Sequence, residues 1–424
     1  MEVISTMDVI YRCCAGLDVH KQTVECAVRC LTEGGTVRVE IRQFGTMTDD
    51  LLEMVKWLRA QGVTHVAMES TGVFWKPIYN ILEGHCTVLL VNARHVKQVP
   101  GRKTDVRDCQ WLAQLLQYGL LKGSFIAPRW QRDLRDLTRE RAQLSDEQTR
   151  VANRIHKVLE DANIKLGSVA TDILGVSGRD ILQGLMAGEE DVDALAERAR
   201  GKLRGKIPEL RRALQGRLSE HHRFQLRLNW DHLQRVEELI ERLDQRVREL
   251  SEPYHTQIEQ LDEIVGIDQT SAESIVAEVG VDMRVFPSDG HLCAWAGICS
   301  GNNESAGKRR SGRTPKGNRW LRRTLTLAAQ AAGHAKDSFL ASRFRRLAAR
   351  RGKKRACIAV AHSILKIVYH ILKDGRPYQD LGGSYFDRLN PQRLARYLVR
   401  RLERLGLKVT LEPATIGQQP YPVV

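Results

Sequence analysis

The sequence lacks any Cys-x-x-Cys pair, although nine cysteines are scattered along its 424 residues. Structural zinc sites usually take their ligands from such closely spaced pairs. Cys26, Cys86 and Cys293 instead stand in apolar runs, where a thiol behaves as a small buried residue. We therefore expect neither a zinc site nor a disulfide framework.

Targeting and membrane segments are missing as well. The start, Met1-Glu2-Val3-Ile4, does not show the basic stretch followed by an apolar stretch that marks a secretory signal. We find no run of about 18 apolar residues, the length that a membrane span needs. We expect a cytoplasmic protein that does not use a membrane.

Acidic residues are scarce at the C-terminal end. Residues 301–424 contain 27 Lys and Arg against 7 Asp and Glu, a surplus of +20. The remaining residues hold 39 against 44, so the whole net charge of +15 arises in this last segment. Such a surplus is typical of proteins that bind a polyanion, most often nucleic acid. A solvated, solubilising surface is the alternative.

Residues 1–128 alternate between strand and helix patterns. A meander of three strands comes first, and helices and strands then alternate, which predicts an α/β layered domain. Thr48 is suited to cap the first helix. The predicted strands are 14–19, 23–31, 36–44, 65–68 and 86–91, and the predicted helices are 48–60, 74–82 and 104–118.

Residues 129–260 lose the strand pattern and become highly charged. Segments 130–160 and 225–250 carry apolar residues at spacings of three, four and seven, which is typical of long amphipathic helices. They predict a helical coiled-coil arm that acts as a spacer or a dimerisation element. A plain helical bundle is the alternative.

The rest of the chain predicts a mainly helical domain, 261–385, followed by a basic helix and tail, 386–424. Gly266 suits a sharp turn between two helices, and Thr270 or Ser271 suits the cap of the second. Such a helix start can offer N–H groups to a DNA phosphate, and an ordinary helical corner is the alternative. Residues 301–323 read as a glycine-rich basic loop feeding a helix.

Four carboxylates in the first 108 residues stand out by their position. Asp18 and Glu69 end apolar strands, where a charge is costly unless something pairs with it. Asp105 and Asp108 are three residues apart in a helical pattern, so they share a face. Hard oxygen ligands from three segments suit Mg²⁺, and two such ions can clamp a phosphodiester. A lone surface carboxylate is usually only solvated, so the hypothesis depends on the combination.

Ser305 lies in the basic loop and is the candidate nucleophile. Nearby cations can stabilise an alkoxide and a pentacovalent phosphate. Ser300 and Ser311 meet the same criteria, so the residues alone do not choose among the three. Lys21 either contacts a phosphate or simply belongs to the polar end of a strand. The candidate nucleic-acid-binding residues are Lys21, Lys103, Lys308, Arg309, Arg310, Arg313, Lys316, Arg319 and Arg322.

Four motifs in this order resemble the DEDD-type transposases of bacterial insertion sequences. They are Gly-Leu-Asp-Val-His-Lys, Met-Glu-Ser-Thr-Gly, Lys-Thr-Asp-Val-Arg-Asp and, later, Ser-Ala-Gly-Lys with Lys-Gly-Asn-Arg-Trp-Leu-Arg. The resemblance covers about residues 13–120 and 260–375. It implies a resolvase-like ribonuclease-H domain, a coiled-coil arm and a C-terminal transposase domain. It also implies catalytic roles for Asp18, Glu69, Asp105, Asp108 and Ser305.

The family is understood as bridge-RNA-guided serine recombinases. The resemblance therefore implies a transposase that cuts and rejoins donor and target DNA, uses Mg²⁺ and binds a guide RNA. A homodimer or homotetramer is expected, because two duplexes present four strands. A metal-dependent, structure-specific nuclease of the junction-resolvase type, with water as nucleophile, is the alternative. A nucleic-acid-binding scaffold with a decayed site is the non-enzymatic rival.

Overall fold

The structure, a computed structural model, describes residues 9–70, 72–92, 96, 108–301, 303–305 and 308–412. The side chains of 303–305, 309 and 310 lie outside this description. The chain divides into two units, Met1–Ala127 and Pro128–Val424. The finer boundaries at 260 and 385 stay predictions.

A five-stranded mixed sheet with the order β3-β2-β1-β4-β5 forms the centre of the first unit. β1, β2 and β3 are an antiparallel meander, and β4 and β5 continue parallel to β1 on its other side. The α/β class predicted for this region is confirmed. The strands are β1 (Cys13–Val19), β2 (Thr23–Leu31), β3 (Val37–Gly45), β4 (His65–Glu69) and β5 (Thr87–Val91).

Helices cover both faces of this sheet. On one face, α1 (Thr48–Ala60) and α2 (Trp75–Leu82) share a core with alternate residues of β1 and β2. On the other face, α3 (Asp108–Gln117) buries Trp111, Leu112, Leu115 and Leu116. All four are buried, and their spacing of one, three and four residues places them on one side of the helix. The part of α3 predicted before Asp108 lies outside the described residues.

Two details of the first unit differ from expectation. Thr48 is the first helical residue of α1, and the cap position is Met47, which is extended and makes no side-chain cap. Asp49 and Asp50 occupy the first turn, where negative charge favours a helix start without a hydroxyl cap. A disulfide joins Cys13 to Cys30, which are already paired across β1 and β2, so it is a local bridge rather than a framework.

The first part of the second unit contains two long antiparallel helices, α4 (Arg129–Asp161) and α9 (Glu220–Ser251). The Gln148 side chain donates a hydrogen bond to Glu237 and the Arg141 side chain donates one to Asp244, so one helix runs back along the other. Short helices between them build a separate core around Leu182, Leu195 and Leu210. This region therefore contains both a long antiparallel helix pair and a small helical bundle. These short helices are α5 (Leu166–Val169), α6 (Val176–Ala187), α7 (Val192–Glu197) and α8 (Ile207–Leu214).

The remainder of the second unit is mostly helical, with one two-stranded hairpin. Its core is built largely from α11, α13 and α15. The helices are α10 (His255–Asp262), α11 (Gln269–Val279), α12 (Asp289–Trp295), α13 (Arg319–His334), α14 (Phe339–Arg351), α15 (Lys353–Asp374), α16 (Tyr385–Arg388) and α17 (Pro391–Glu403), and the strands are β6 (Asn303–Ser305) and β7 (Lys308–Ser311).

The turn before α11 follows the prediction, but its cap does not. Gly266 has a φ of +93°, and a Cβ there would lie 2.4 Å from the carbonyl oxygen of Ala328. The cap is Asp268, whose carboxylate accepts a hydrogen bond from the Ser271 N–H at 2.9 Å. Thr270 and Ser271 were wrong as caps, because both already lie inside the first turn.

The segment predicted as one basic loop, 301–323, contains the β6–β7 hairpin and the first turn of α13. Asn318 ends the loop because its side chain accepts hydrogen bonds from the N–H groups of Trp320 and Leu321. The predicted basic helix near the C-terminus is present as α17. The tail predicted after it is described only as far as residue 412.

One helix of the second unit meets the length and composition of a membrane span, contrary to the expectation that none would. It is α15, and half of its apolar stretch is buried inside the protein. Val360, Ile364, Leu365 and Val368 of this helix belong to the core shared with α11 and α13. A core helix of a folded domain passes the same test.

Candidate active site and basic hairpin

Asp18 and Glu69 end neighbouring strands at the same edge of the sheet. β1 and β4 are parallel, and Leu17 is the register partner of Met68. Asp18 and Glu69 each follow these partners by one residue, so they stand at the same level. Their convergence results from parallel strand pairing, which the sequence spacing alone does not reveal.

A third carboxylate, Glu25, belongs to the same group. Glu25 is the cross-strand partner of Asp18 on β2, and directly opposed residues of an antiparallel pair project to one face. Glu25 was not among the predicted site residues. Its signal in the sequence is the strand alternation of β2, which becomes useful only once the β1–β2 register is known.

The shared face is the one that α3 covers. Gly16 and Ala67 lie two residues before Asp18 and Glu69, and both pack towards α3. Because side chains two apart on a strand project to the same side, Asp18, Glu25 and Glu69 also face α3. Asp108 is the first residue of that helix. The structure thus brings three of the four predicted acids, with Glu25, to one sheet edge.

Gly16 allows this close approach of helix to sheet. A Cβ at position 16 would lie 2.2 Å from the carbonyl oxygen of Cys109 and 2.4 Å from the amide nitrogen of Ala113. Ala27, the partner of Gly16 on β2, is small and packs with Cys109 and Ala113. Small residues on both strands therefore let the start of α3 settle beside Asp18.

The environment raises the pKa of the Asp18 carboxyl above its ordinary value. Burial is the largest cause, and the negative charges of Asp108 and Glu25 act in the same direction. His20 opposes them, with its Nε2 3.3 Å from an Asp18 carboxylate oxygen. Crowded carboxylates of this kind are stabilised by a bound cation, so the donor set fits a hard divalent metal.

The other predicted residues of this region are less defined. Asp105 and Lys103 lie outside the described residues. Lys21 is described and its side chain is exposed at the β1–β2 turn. Within the described parts of the chain, no group of three His, Cys, Asp or Glu side chains stands close enough to form a metal site. A metal site at this edge would therefore require a further ligand or a rearrangement of the side chains.

Ser305 lies in the hairpin of the second unit. It is the last residue of β6 and the register partner of Lys308, the first residue of β7. Glu304 pairs with Arg309 and Asn303 with Ser311. The backbone thus places the candidate serine at the tip of a short hairpin whose returning strand is basic.

Two close backbone approaches hold the base of this hairpin. A Cβ on Gly301 would lie 2.1 Å from the carbonyl oxygen of Arg313, so the segments entering and leaving the hairpin touch. Gly297 has a φ of +72° and packs directly on Gly317. Glycines are required here because a side chain would push these backbones apart.

The buried carboxylate of Glu278 holds Asn318, the residue at the end of the loop that follows the β6–β7 hairpin. Glu278 is 2 % exposed and accepts hydrogen bonds from Arg139 at 2.7 and 2.8 Å. The Asn318 amide donates to the same carboxylate at 2.5 Å, while its oxygen caps α13. Arg135 donates to the Glu278 backbone oxygen at 2.5 Å. The long helix α4 is thereby tied to the start of α13.

Most of the basic side chains predicted to bind nucleic acid belong to the β6–β7 hairpin, to the loop after it or to the first turn of α13. Lys308, Arg313 and Lys316 are exposed. The Arg319 guanidinium stands 4.6 Å from the centre of the Trp320 ring, and Arg322 contacts the Gly297 carbonyl oxygen at 3.4 Å. For Arg309 and Arg310 the structure gives only the backbone, in β7.

Comparison with protein families agrees with both halves of this arrangement. A model described as a transposase of the DEDD, IS110 type matches residues 15–164, and the model of the transposase IS116/IS110/IS902 family matches residues 258–343. Together they cover more than half of the chain. The chain belongs to the IS110-type DEDD transposases. It is a transposase and acts on DNA. No curated protein matches the sequence.

The first family match contains Asp18, Glu25, Glu69, Asp105 and Asp108. The second contains Ser305 and the β6–β7 hairpin. We call Asp18, Glu25, Glu69 and Asp108 the acidic edge and β6–β7 the basic hairpin. They lie in the two matched regions of this transposase, one in each structural unit.

Proposed function

We propose that this transposase cuts and rejoins DNA by attack of Ser305 on a backbone phosphate, with the acidic edge holding Mg²⁺. The observation that carries the proposal is the gathering of Asp18, Glu25 and Glu69 on the face that Asp108 reaches. Such a group of carboxylates is costly to a fold and is typical of a site for a cation and a phosphate.

The reaction is a transesterification. The Ser305 oxygen forms a bond to phosphorus and gives up its proton to solvent or a nearby base, while the bond from phosphorus to one DNA oxygen breaks and that oxygen takes up a proton to leave as a hydroxyl. The phosphoserine ester keeps the energy of the broken bond, so attack by a DNA hydroxyl can reseal the strand without ATP. Lys308, directly opposite Ser305, is placed to favour the charge on the attacked phosphate.

Mg²⁺ would be held by Asp18, Glu69, Asp108 and, as predicted from the sequence, Asp105. When bound, it supplies charge stabilisation for the phosphate oxygens. The chain's own contribution is to bring Asp18, Glu69 and Asp108 to one edge, through β1–β4 pairing and the close packing of α3 on Gly16. The raised pKa of Asp18 supports a site that favours a cation.

Other parts of the proposal rest on the family resemblance. We propose that the first unit is a ribonuclease-H-like domain, that α4 and α9 form a coiled-coil arm, and that a guide RNA pairs with donor and target DNA. In such a system the protein contacts the backbone and the base pairing selects the sequence. A homodimer or homotetramer in the cytoplasm completes the proposal, and the surplus of +20 in residues 301–424 supports binding to nucleic acid.

The test is a covalent protein–DNA adduct on a denaturing gel. The full chain is incubated with Mg²⁺, its RNA and a labelled DNA carrying the element's end. The wild type and the matched controls Ser300→Ala and Ser311→Ala should form the adduct, and Ser305→Ala should not. An adduct that persists in Ser305→Ala overturns the choice of nucleophile. Cutting without any adduct overturns the serine mechanism and favours a resolvase-like nuclease that uses water.

A further inference from the structure

A basic groove lies beside the serine hairpin, within the second unit. It is open, has a volume of about 1040 Å³, and is lined on one side by residues that leave β7. The opposite wall is formed by α14 and by the start of α15. Its five cationic side chains are Arg313, Arg343, Arg351, Lys354 and Arg355, and among the described residues no Asp or Glu lines it.

The cations of this groove differ from the arginines that hold the core of the unit together. Arg135, Arg139, Arg141 and Arg323 each pair with a carboxylate. By contrast, no carboxylate in the described parts of the chain lies within ion-pair distance of Arg313, Arg343, Arg351, Lys354 or Arg355. The Nε of Arg343 is buried and makes no hydrogen bond among the described atoms. An unbalanced row of charge of this kind is suited to an external anion.

The spacing of these residues fits an extended polyanion better than a single small anion. Arg343 and Arg351 lie eight residues apart along α14, about 12 Å at the rise of a helix, and both line the groove together with Arg355 of α15. Ile298, Leu347 and Ile358 add apolar side chains to the same lining. A lining that combines cations with apolar side chains suits a nucleic-acid strand, because its phosphates and its sugars or bases are both contacted.

Its position indicates which nucleic acid enters the groove. Ser311 and Arg313 line it, and Ser311 lies three residues from the hairpin tip, about 10 Å along an extended strand. That distance corresponds to roughly three nucleotide steps of duplex DNA. A strand lying in the groove would therefore run on to the tip where Ser305 stands.

We propose that this groove holds the backbone of the DNA strand that Ser305 attacks, a few nucleotides from the reacting phosphate. The inference rests on the proposed function and adds to it the path of the substrate. Burial and the neighbouring Lys366 and Arg343 charges lower the pKa of His362 at the groove wall, which agrees with a region of positive potential.

Salt-dependent binding of the full-length chain tests the proposal. Ser305→Ala serves as the background, so that no reaction follows binding, and the probes are a fluorescein-labelled 30-base-pair DNA duplex and a 30-nucleotide RNA. The double variant Arg351→Gln with Arg355→Gln, the groove pair, removes two charges that line the groove. The double variant Arg345→Gln with Arg350→Gln, the control pair, removes two exposed charges of α14 that do not line the groove.

The groove pair should weaken DNA binding about tenfold and flatten the plot of log affinity against log salt by about 0.9 for each phosphate that is no longer neutralised. The control pair should leave that slope unchanged. Equal slopes for both pairs would show a general charge effect and overturn the proposal. A weakening confined to the RNA probe would overturn the assignment to DNA.

The two proposals fail separately. If the wild type forms no adduct but the groove pair still flattens the DNA slope, only the serine mechanism is overturned. If Arg351→Gln with Arg355→Gln in a chain that keeps Ser305 forms the adduct at the wild-type rate, and the same pair on the Ser305→Ala background keeps the salt slope of Ser305→Ala alone, only the groove proposal is overturned.

Discussion

The carboxylates at the acidic edge of the first unit and the carboxylate of Glu278 in the second have opposite electrostatic surroundings. Glu278 is enclosed by Arg139, Arg135 and the Asn318 amide, so its charge is neutralised within the protein. Asp18 is half-buried next to Glu25 and Asp108, and their charges disfavour its ionised form. The difference separates a carboxylate that holds the fold together from carboxylates arranged to receive something from outside.

Neutralising Asp18 tests whether the acidic edge takes part in strand cutting, and it should have the largest effect. Asp18→Asn should lower strand cutting by at least about 100-fold, the usual effect of removing one electrostatic interaction with a transition state. The fold should remain, because the change removes a repelled charge. Adduct formation on a denaturing gel measures the first effect and circular dichroism the second. Cutting at the wild-type rate would remove the acidic edge from the chemistry.

Glu278→Gln should instead damage the fold. Removing one partner of a buried ion pair typically costs about 3–5 kcal/mol, and Arg139 remains partly exposed, so we expect about 3 kcal/mol in the free energy of unfolding. Glu249→Gln is the matched control, since Glu249 forms an exposed pair with Arg246 and should lose less than about 1 kcal/mol. Urea unfolding of both variants provides the comparison. Equal losses would mean that Glu278 is not an anchor.

Gly16→Ala tests how the acidic edge is assembled. The added methyl would clash with Cys109 and Ala113, and overpacking of this kind costs about 1–3 kcal/mol. Because α3 must move away from β1, cutting should also fall. Gly34→Ala is the control, since nothing lies within 4 Å of a Cβ there. Thermal unfolding of the two variants distinguishes them, and identical midpoints would contradict the close packing.

The smallest effect concerns pH. The pKa of Asp18 is raised in the folded protein, so its contribution to stability is complete below the unfolded pKa and is lost as pH rises through the folded pKa. Asp18→Asn should therefore be more stable than the wild type at pH 7 and no more stable at pH 3. Unfolding midpoints at the two pH values, without divalent cations, measure this. A variant less stable than the wild type at pH 7 would reverse the sign.

The sequence predicted the local elements of both regions well, because strand alternation and helical spacing are properties of neighbouring residues. Asp18, Glu69 and Asp108 were predicted from motifs at strand and helix ends, and the structure brings them to one edge of the sheet. Glu25 was not predicted, because its position beside Asp18 depends on the register between β1 and β2. The anchor was missed for a related reason: Glu278 meets Arg139 and Asn318 across separations of 139 and 40 residues.

Identification of the modified residue in the wild-type transposase tests the central claim most directly. The chain is reacted with DNA, Mg²⁺ and any RNA that copurifies with it, digested with trypsin and nuclease, and the peptide carrying a nucleotide is sequenced by mass spectrometry. We expect the nucleotide on Ser305, and no such peptide from Asp18→Asn. A nucleotide on Ser300 or Ser311, or an undiminished yield from Asp18→Asn, would contradict it.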